Sequence, residues 1–151
     1  MKVHEIMSPD PDTVNPGDSI AHAARLMRDG NVGMLPVVEA DGLGTLVGVL
    51  TDRDITVRCV AEEHRGRCRV RDHMTADHLA TVDADADVED GVARMGRARV
   101  RRLPVVTARM RVVGVLSQAD LARRLGRQEP RLVSELLERV SEPAVASSAR
   151  G

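Results

Sequence analysis

Two motifs of identical form contain the side chains best suited to binding chemistry. Each reads Gly-x-x-(Thr/Ser)-x-x-Asp, once at residues 48–54 and again at residues 114–120. An apolar strand is expected to end at the hydroxyl residue, Thr51 or Ser117, which then caps a helix. Backbone N–H groups and the positive end of the helix dipole therefore gather beside Asp54 and Asp120. Such a position suits a phosphate group or a ligand rich in hydroxyls.

A structural role explains the same spacing. Thr-x-x-Asp resembles a capping box, in which the hydroxyl accepts a hydrogen bond from the third helical N–H and the acid reaches back to the cap. For either motif alone, capping is the more common explanation. Because the motif, its glycine and the preceding strand all occur twice, we interpret them as a pair of binding sites.

Almost the whole chain is duplicated, and the duplication predicts the elements that position these motifs. Residues 81–106 match residues 13–38 at an offset of 68, which falls to 66 after the hairpin turn. Loops tolerate insertions, so a shift at a turn is expected in a true repeat. Each copy predicts the order β-α-β-β-α. The strands are expected at Thr13-Val14, 35–38 and 45–50, and at Thr81-Val82, 103–106 and 112–116.

The helices are predicted from apolar residues spaced i, i+3, i+4, i+7. Asp18 is expected to cap the first helix and Gly30 to end it, and Asp87 to cap its counterpart. A C-terminal helix is expected to begin at Pro130. The predicted apolar faces are Ile20, Ala23, Ala24 and Met27; Val88, Gly91, Val92 and Met95; and Leu132, Val133, Leu136, Leu137 and Val140.

The fold class that follows is α+β. Repeat 1 is expected at residues 1–60, a linker at 61–69, repeat 2 at 70–126, and a C-terminal helix with a flexible tail at 127–151. A repeat of ~60 residues buries too little apolar surface alone, so the two copies are expected to share a core. Apolar runs such as residues 46–50 predict strands that are covered on both faces.

Composition narrows the range of functions. The 151 residues include no Phe, Tyr or Trp, so single-stranded nucleic acid would find no aromatic stacking platform. With 22 basic and 23 acidic side chains the net charge is −1, so no global field favours DNA or a membrane. The arginines between Arg94 and Arg111 are interpreted as a solvated face, with phosphate binding by one or two of them as an alternative. No apolar run resembles a signal peptide or a membrane span, and a soluble cytoplasmic protein is expected.

The two cysteines lie in a pattern that invites a zinc interpretation. Cys59-x4-His64-x3-Cys68-x4-His73 has suitable residue types, but structural zinc sites usually contain a tight Cys-x2-4-Cys pair. No metal site is therefore predicted, and a redox-sensitive thiol pair is the alternative. No nucleophile with a matching base can be recognised, so the chain is not expected to be an enzyme.

The combination of motifs resembles a CBS domain pair, also called a Bateman module. Two β-α-β-β-α copies, each with Leu-Pro-Val in the middle and the Gly-x-x-(Thr/Ser)-x-x-Asp motif near the end, carry the resemblance over residues 1–125. It implies two pseudo-two-fold-related clefts that bind adenosine-containing ligands such as AMP, ADP, ATP or S-adenosylmethionine. It also implies a sensor with no required cofactor, a homodimer formed through its helices, and an unidentified protein partner. The alternative is an interaction or stress-response module that binds no nucleotide.

The resemblance also implies the residues of each cleft. Asp54 and Asp120 would accept hydrogen bonds from ribose hydroxyls, an apt task for carboxylates. Each site would take its adenine pocket from the other repeat. The Asp54 site would also contain Thr51, Val49, Thr75 with Met74, Ala80 and Val100. The Asp120 site would contain Ser117, Val115, Ser8 with Met7, Asp12 and Val32. Phosphate would be held by Arg53 in the first site and by Arg101 or its neighbour Arg102 in the second.

Overall fold

Two antiparallel hairpins form the centre of the protein. The computed structural model describes residues 1–64 and 67–142. Strand β2 (Met34–Val38) pairs with β3 (Leu46–Thr51), and β5 (Arg102–Val106) pairs with β6 (Val112–Ser117). Leu35 lies opposite Leu50 in the first hairpin, and Leu103 lies opposite Leu116 in the second. The equal registers agree with the duplication of the sequence.

The strands differ in how they are covered. Strand β2 is buried along its whole length, but β3 and β6 alternate between buried and half-buried residues. The prediction of strands covered on both faces is therefore wrong for β3 and β6. Val49 and Val115 lie on their half-buried faces, and both line the cavities described below.

The first helix of each repeat packs its predicted apolar face into the core. These helices are α1 (Ile20–Gly30) and α4 (Val88–Ala98). The cap of α1 is Ser19, whose hydroxyl accepts a hydrogen bond from His22 N at 3.1 Å. The predicted cap Asp18 is wrong, because its carboxylate accepts instead from Asn15 N at 2.8 Å.

The helix ends show a second difference from the sequence-based expectation. Gly30 is still helical, and the left-handed residue that ends α1 is Asn31, with φ 49°. Arg99 ends α4 in the same conformation, with φ 53°. Asp87 is the N-terminal cap residue of α4 as predicted, but its carboxylate binds Lys2 Nζ at 2.8 Å rather than a helix amide.

The remaining helices follow the motifs and close the fold. Helix α2 (Asp52–Asp54) continues as a π-helical segment, Ile55–Val60, and α5 (Gln118–Leu125) is its counterpart. Helix α3 (Val70–His73) opens repeat 2, and α6 (Pro130–Ser141) begins at the predicted proline. Helix α6 buries Leu136 and Val140, but Leu137, predicted on the same face, is 42% exposed. The tail expected to be flexible falls outside the described residues from 143 onwards.

The outer strands are shorter than the hairpins. Strand β1 (Ser8–Pro9) pairs with β6, and β4 (Val82–Asp83) runs parallel to β5, which gives a four-stranded order β1-β6-β5-β4. In repeat 1 the equivalent positions form single bridges, Val14 with Val37 and Thr75 with Val49. The strand expected at Thr13-Val14 is thus reduced to one bridging residue.

Each repeat is preceded by a lead segment, residues 3–12 or 70–80, whose first residues are buried in the core of the other repeat. Val3 N donates to Ala86 O at 3.0 Å, and the side chains of Val3 and Ile6 are buried in the core of repeat 2. In the reverse direction, Val70 N donates to Asp18 O at 2.8 Å, and Val70 is buried in the core of repeat 1. This exchange joins the two repeats. Among the described residues no helix has both the length and the apolar character needed to cross a membrane.

The exchanged segments lie directly over the motif glycines. A methyl group at Gly114 would overlap Met7 Sδ and lie 3.0 Å from Ser8 O, and one at Gly48 would lie 2.9 Å from Thr75 O. The carbonyl oxygens belong to backbone that is itself paired with the strand, so it cannot easily move. Both motif glycines are therefore required by the neighbouring chain.

We expect Gly114→Ala to destabilise the protein by about 1–3 kcal/mol, the usual cost of overpacking a filled site. The free energy of unfolding in urea measures the effect. Gly17→Ala is the matched control, because the nearest atom to its added methyl group is Arg71 Nη2 at 3.6 Å. Equal stabilities of the two variants would contradict the packing argument.

The ion pair between Lys2 and Asp87 gives the N-terminal segment a pH dependence. A hydrogen bond and the charge of Lys2 lower the pKa of Asp87, and the same contacts raise the pKa of Lys2. The lowered carboxyl pKa stabilises the fold above the ordinary Asp pKa, and this contribution is lost as the pH falls through the lowered value. The raised Lys2 pKa acts below the ordinary Lys pKa and is lost as the pH rises through the raised value.

We expect the amide of Val3 to lose a small part of its hydrogen-exchange protection when Asp87 is protonated in acid. The loss is small because the pair is exposed. Protection factors near neutral pH and in acid provide the measurement, and Lys2→Met is the control that lacks the pair. An acid-dependent loss of the same size in both proteins would assign it to other carboxylates.

Candidate functional site

The second cleft is a cavity of about 590 Å³ at the end of β6. It brings together all seven residues predicted for the Asp120 site. Their segments are β1, the end of α1, the β5 edge, β6 and the start of α5. The predicted residues that line it are Ser8, Asp12, Val32, Arg101, Val115, Ser117 and Asp120. Met7, named beside Ser8, is outside the lining and packs on Gly114 instead.

Asp120 caps α5 and also lies on the cavity wall. Ser117 N and Ser117 Oγ donate to Asp120 Oδ2 at 2.9 and 2.6 Å, and Asp120 N donates back to the hydroxyl at 3.1 Å. Arg123 Nη2 donates to the other oxygen, Oδ1, at 2.5 Å. The Asp120 side chain is only 6% exposed, whereas that of Arg123 is 73% exposed. A carboxylate oxygen accepts more than one hydrogen bond, so Oδ1 can accept a further hydrogen bond besides the one from Arg123.

The first cleft is a cavity of about 630 Å³ at the end of β3. Six of the seven residues predicted for the Asp54 site line it: Val49, Thr51, Arg53, Thr75, Ala80 and Val100. Met74 packs against Gly48 and is outside the lining. The two clefts therefore occupy equivalent places in the two repeats.

Asp54 is not part of the wall of the first cleft. Thr51 N donates to Asp54 Oδ2 at 3.0 Å, and Asp54 N donates to Thr51 Oγ1 at 3.1 Å, which completes a capping box. Its second oxygen, Oδ1, faces Arg58 Nε at 3.8 Å. Both motifs therefore form the capping box that was the alternative to a binding site. Of the two capping carboxylates, only that of Asp120 also lines a cavity.

A shared polar group lies between the two clefts. Arg101, Arg102 and Asp52 line both cavities. Asp52 N donates to Gly33 O at 3.0 Å, and in the other repeat Gln118 N donates to Arg101 O at 2.9 Å. Arg101 and Arg102, which were predicted for the Asp120 site alone, thus line both clefts.

Sequence reasoning missed several residues of the second cleft, among them Arg123, Asp52 and Gln118. Arg123 lies one helical turn beyond Asp120, and their i, i+3 spacing was the available signal. Asp52 and Gln118 follow the cap residues directly, so duplication of the cap also marked their positions. Gln118 Oε1 is buried without a hydrogen-bond partner, which leaves an acceptor available at the cleft.

Outside the clefts, the two cysteines lie near His73 at the junction between the repeats. Cys59 is buried, Cys68 is half-buried, and both are free thiols. Desolvation, followed by the hydrogen bond and charge of Cys59, raises the pKa of Cys68. One sulfur or nitrogen atom from each of Cys59, Cys68 and His73 lies within 4.8 Å of the others.

Both repeats match the model of one known family. Residues 3–60 and residues 70–127 each match the CBS domain. The chain belongs to the CBS domain family. The predicted α+β pair of CBS repeats is thereby confirmed, since solved CBS domain pairs have the same fold.

Two relatives illustrate the similarity in sequence. The CBS domain-containing protein YhcV of Bacillus subtilis is 38% identical over 120 residues, which are 80% of this chain and 82% of YhcV. Hypoxic response protein 1 of Mycobacterium tuberculosis is 32% identical over 121 residues, which are 80% of this chain and 82% of that protein.

Solved structures of CBS proteins are similar in fold. Hypoxic response protein I, solved with two coordinated zinc ions, has a TM-score of 0.74 and 30% identity over 83% of this chain and 99% of its own. The CBS domain pair of protein MJ0100, solved with 5′-methylthioadenosine and S-adenosyl-L-methionine, has a TM-score of 0.75 and 29% identity over 85% and 98%. CBSX2, solved with AMP, has a TM-score of 0.69 and 28% identity over 83% and 96%.

Proposed function

We propose that the chain is a regulatory module that binds AMP, ADP or ATP in its second cleft. The observation that carries the proposal is the meeting of seven predicted residues on one cavity wall, with the Asp120 carboxylate among them. Ribose hydroxyls would donate to Asp120 Oδ1, which retains acceptor capacity. Hydrogen bonds to a charged acceptor are among the stronger ones in proteins.

The walls of the second cleft suit the other two parts of a nucleotide. Val32 is 44% exposed, and it faces the same cavity as Val115. An adenine ring placed between these aliphatic side chains would cover apolar surface that is now open to water. Arg101 and Arg102 would receive phosphate, for which the guanidinium group is well suited.

Two solved relatives support the adenosyl class of ligand. CBSX2 was solved with AMP, and the CBS pair of MJ0100 with 5′-methylthioadenosine and S-adenosyl-L-methionine. The adenosyl group is common to all three ligands, whereas the phosphate is not. The ribose contact at Asp120 is therefore the central element of the proposal, and the arginines select among adenosyl ligands.

The proposed signal is a change in how the two repeats are held together. Ser8 and Asp12 belong to the N-terminal lead segment, while Val32 follows α1 of repeat 1 and Val115 lies on β6. A ligand in the cleft would contact all of these segments. It would shift the arrangement only by the difference between its affinities for the two states. A protein partner that recognises one arrangement would then complete the sensor, with no catalytic step in this chain.

We expect Asp120→Asn to weaken nucleotide binding by about 10- to 100-fold, the loss of one or two hydrogen bonds to a charged acceptor. Isothermal titration with AMP, ADP and ATP gives the affinity and the number of sites. Asp54→Asn is the matched control, because it alters an equivalent capping box whose acid lies outside the cleft wall. We expect one site in the wild-type chain and an unchanged affinity in the control.

Loss of binding in Asp54→Asn with retention in Asp120→Asn would assign the nucleotide to the first cleft. A thermal-shift panel of AMP, ADP, ATP, NAD and S-adenosylmethionine tests the wider class, because a ligand at 100 times its dissociation constant stabilises by about 2.7 kcal/mol. No shift with any of them would favour the alternative function, an interaction or stress-response module without nucleotide.

The cytoplasmic location of the protein also stays a prediction.

We propose that the active form is a homodimer that covers the exposed helical surface after the first motif. Val57 and Val60 lie one turn apart on the π-helical segment and are 47% and 64% exposed. Symmetric dimers commonly bury the same patch of both subunits. The apolar surface of this segment is available for such a contact.

We expect Val60→Glu to convert a dimer to a monomer, because a charge at the centre of an apolar contact must lose its water. Light scattering coupled to size-exclusion chromatography measures the mass. Leu43→Glu is the control, since Leu43 is 55% exposed and lies in the hairpin turn away from this segment. A dimer that persists in Val60→Glu but dissociates in Leu43→Glu would place the contact at the hairpin turns.

A further inference from the structure

A third cavity lies at the junction between the repeats, apart from both clefts, and cysteine and histidine side chains lie beside it. Cys59 is near the end of the π-helical segment, Cys68 lies in the extended chain before α3, and His73 is the last residue of α3. A cavity of about 430 Å³ is lined by His64, Arg67, Cys68, Asp72 and His73. We propose that Cys59, His64, Cys68 and His73 bind one structural Zn²⁺ ion.

The distance between the thiols fits metal binding. Cys59 Sγ and Cys68 Sγ are 3.7 Å apart. Two thiolates bound to one tetrahedral zinc at about 2.3 Å lie roughly 3.8 Å from each other. A disulfide would require a separation of about 2.05 Å. The present spacing therefore leaves room for an ion between the sulfurs without a large movement of either side chain.

His73 provides an independent observation. The residue is 5% exposed, and its Nε2 atom is buried with no hydrogen-bond partner. A buried ring nitrogen without a partner is costly. A metal ion bound at Nε2 removes this cost, and the neutral imidazole is an established zinc ligand.

His64 lies outside the three ligand atoms that are within 4.8 Å of one another, and it is the proposed fourth ligand because of its position beside His73. Its ring centre lies 5.4 Å from that of His73. Two imidazoles bound to one tetrahedral zinc, each through a nitrogen about 2 Å from the metal, have ring centres roughly 5 Å apart. Asp72 also lines the cavity, but its Oδ2 accepts a hydrogen bond from Arg69 N at 2.8 Å as part of the α3 cap. His64 is therefore the better fourth ligand.

The backbone explains how widely spaced residues meet. His64 N donates to Cys59 O at 3.0 Å, and Glu63 has a left-handed φ of 55°, so the chain reverses after the π-helical segment. Cys68 O accepts from Ile20 N at 3.0 Å, which fixes the second cysteine against repeat 1. These turns replace the tight Cys-x2-4-Cys pair whose absence led the sequence analysis to predict no metal. The tertiary contacts thus argue against that prediction.

Zinc is the ion that this ligand set favours. Two sulfur and two nitrogen ligands in a tetrahedral arrangement are typical of Zn²⁺. Binding converts both thiols to thiolates and releases two protons to the solvent. The two thiolate charges then balance the charge of the ion, so the filled site is neutral.

A bound ion would fix the crossing of the chain from repeat 1 to repeat 2. It would join the π-helical segment of repeat 1 to α3, the helix that ends two residues before Thr75. Thr75 pairs with Val49 and lines the first cleft. The proposed zinc is thus a structural ion that holds the exchanged segment in place, independently of nucleotide binding.

The test uses the full chain, purified under reducing conditions and stripped of metal, with Co²⁺ as the spectroscopic probe. We expect one Co²⁺ per chain, with thiolate-to-metal charge transfer in the near ultraviolet and the strong visible bands of a tetrahedral ion, all displaced by Zn²⁺. Zn²⁺ alone should raise the unfolding temperature of the stripped chain.

Variants distinguish the residues that bind the metal from those that do not. Cys68→Ser should weaken binding by about 100-fold or more, since even outer-shell changes cost 10- to 100-fold. His64→Ala, at an exposed residue, should weaken binding while keeping thiolate charge transfer. His22→Ala is the matched control at an exposed histidine of α1 and should bind like the wild type; circular dichroism checks that each variant folds.

Several results would overturn the proposal. They are a reduced chain that binds no Co²⁺, Co²⁺ binding without thiolate charge transfer, and equal Co²⁺ binding by the Cys68→Ser variant. If the reduced chain takes up no metal and oxidation then forms a Cys59–Cys68 disulfide, the two cysteines are a redox-sensitive thiol pair instead.

Discussion

The exchange of lead segments is the constraint on which the rest of the structure depends. Each segment lies over the glycine of the opposite motif so closely that a methyl group there would meet backbone oxygen: Ser8 O over Gly114 and Thr75 O over Gly48. The same segments bury Val3 and Val70 in the cores that they join. Neither repeat is complete without residues from the other half. Packing of the chain therefore determines where a cleft forms between the repeats.

The exchange of lead segments creates the two clefts, which lie at equivalent places but are not identical. Both form where a motif strand ends beside an exchanged segment, and both include the shared Arg101, Arg102 and Asp52. They differ in the acid of the motif, since Asp120 lies on a cavity wall and Asp54 does not. Duplication thus preserves the backbone and its capping boxes, but only one of the two motif carboxylates lies on a cavity wall.

The junction between the repeats has a different physical character from the clefts. The clefts combine aliphatic walls with charged groups at the edge, whereas the junction brings the thiols of Cys59 and Cys68 close to the imidazole of His73. A buried imidazole nitrogen without a partner is a net cost to folding unless something binds it. The chain carries this cost at the place where the exchanged segment of repeat 2 begins, where a fixed crossing benefits the whole fold.

The amino-acid sequence was enough to predict the duplicated β-α-β-β-α order, the hairpins, the capping motifs and the helix that begins at Pro130. These features depend on local spacing and residue type, which are visible along the chain. Through the family resemblance it also implied thirteen of the residues that line the two cavities. It could not locate the Ser19 cap or the left-handed Asn31, since adjacent polar residues compete for such positions.

The tertiary structure was needed to show that Asp120 but not Asp54 lies on a cavity wall, and that Asp52 and Arg102 line both clefts. It also brought Cys59, Cys68 and His73 together. These outcomes depend on contacts between segments distant in sequence, and a spacing rule describes only neighbours along one helix or strand. For the same reason, a cysteine pattern without a tight pair gave no indication of the group that the π-helical turn assembles.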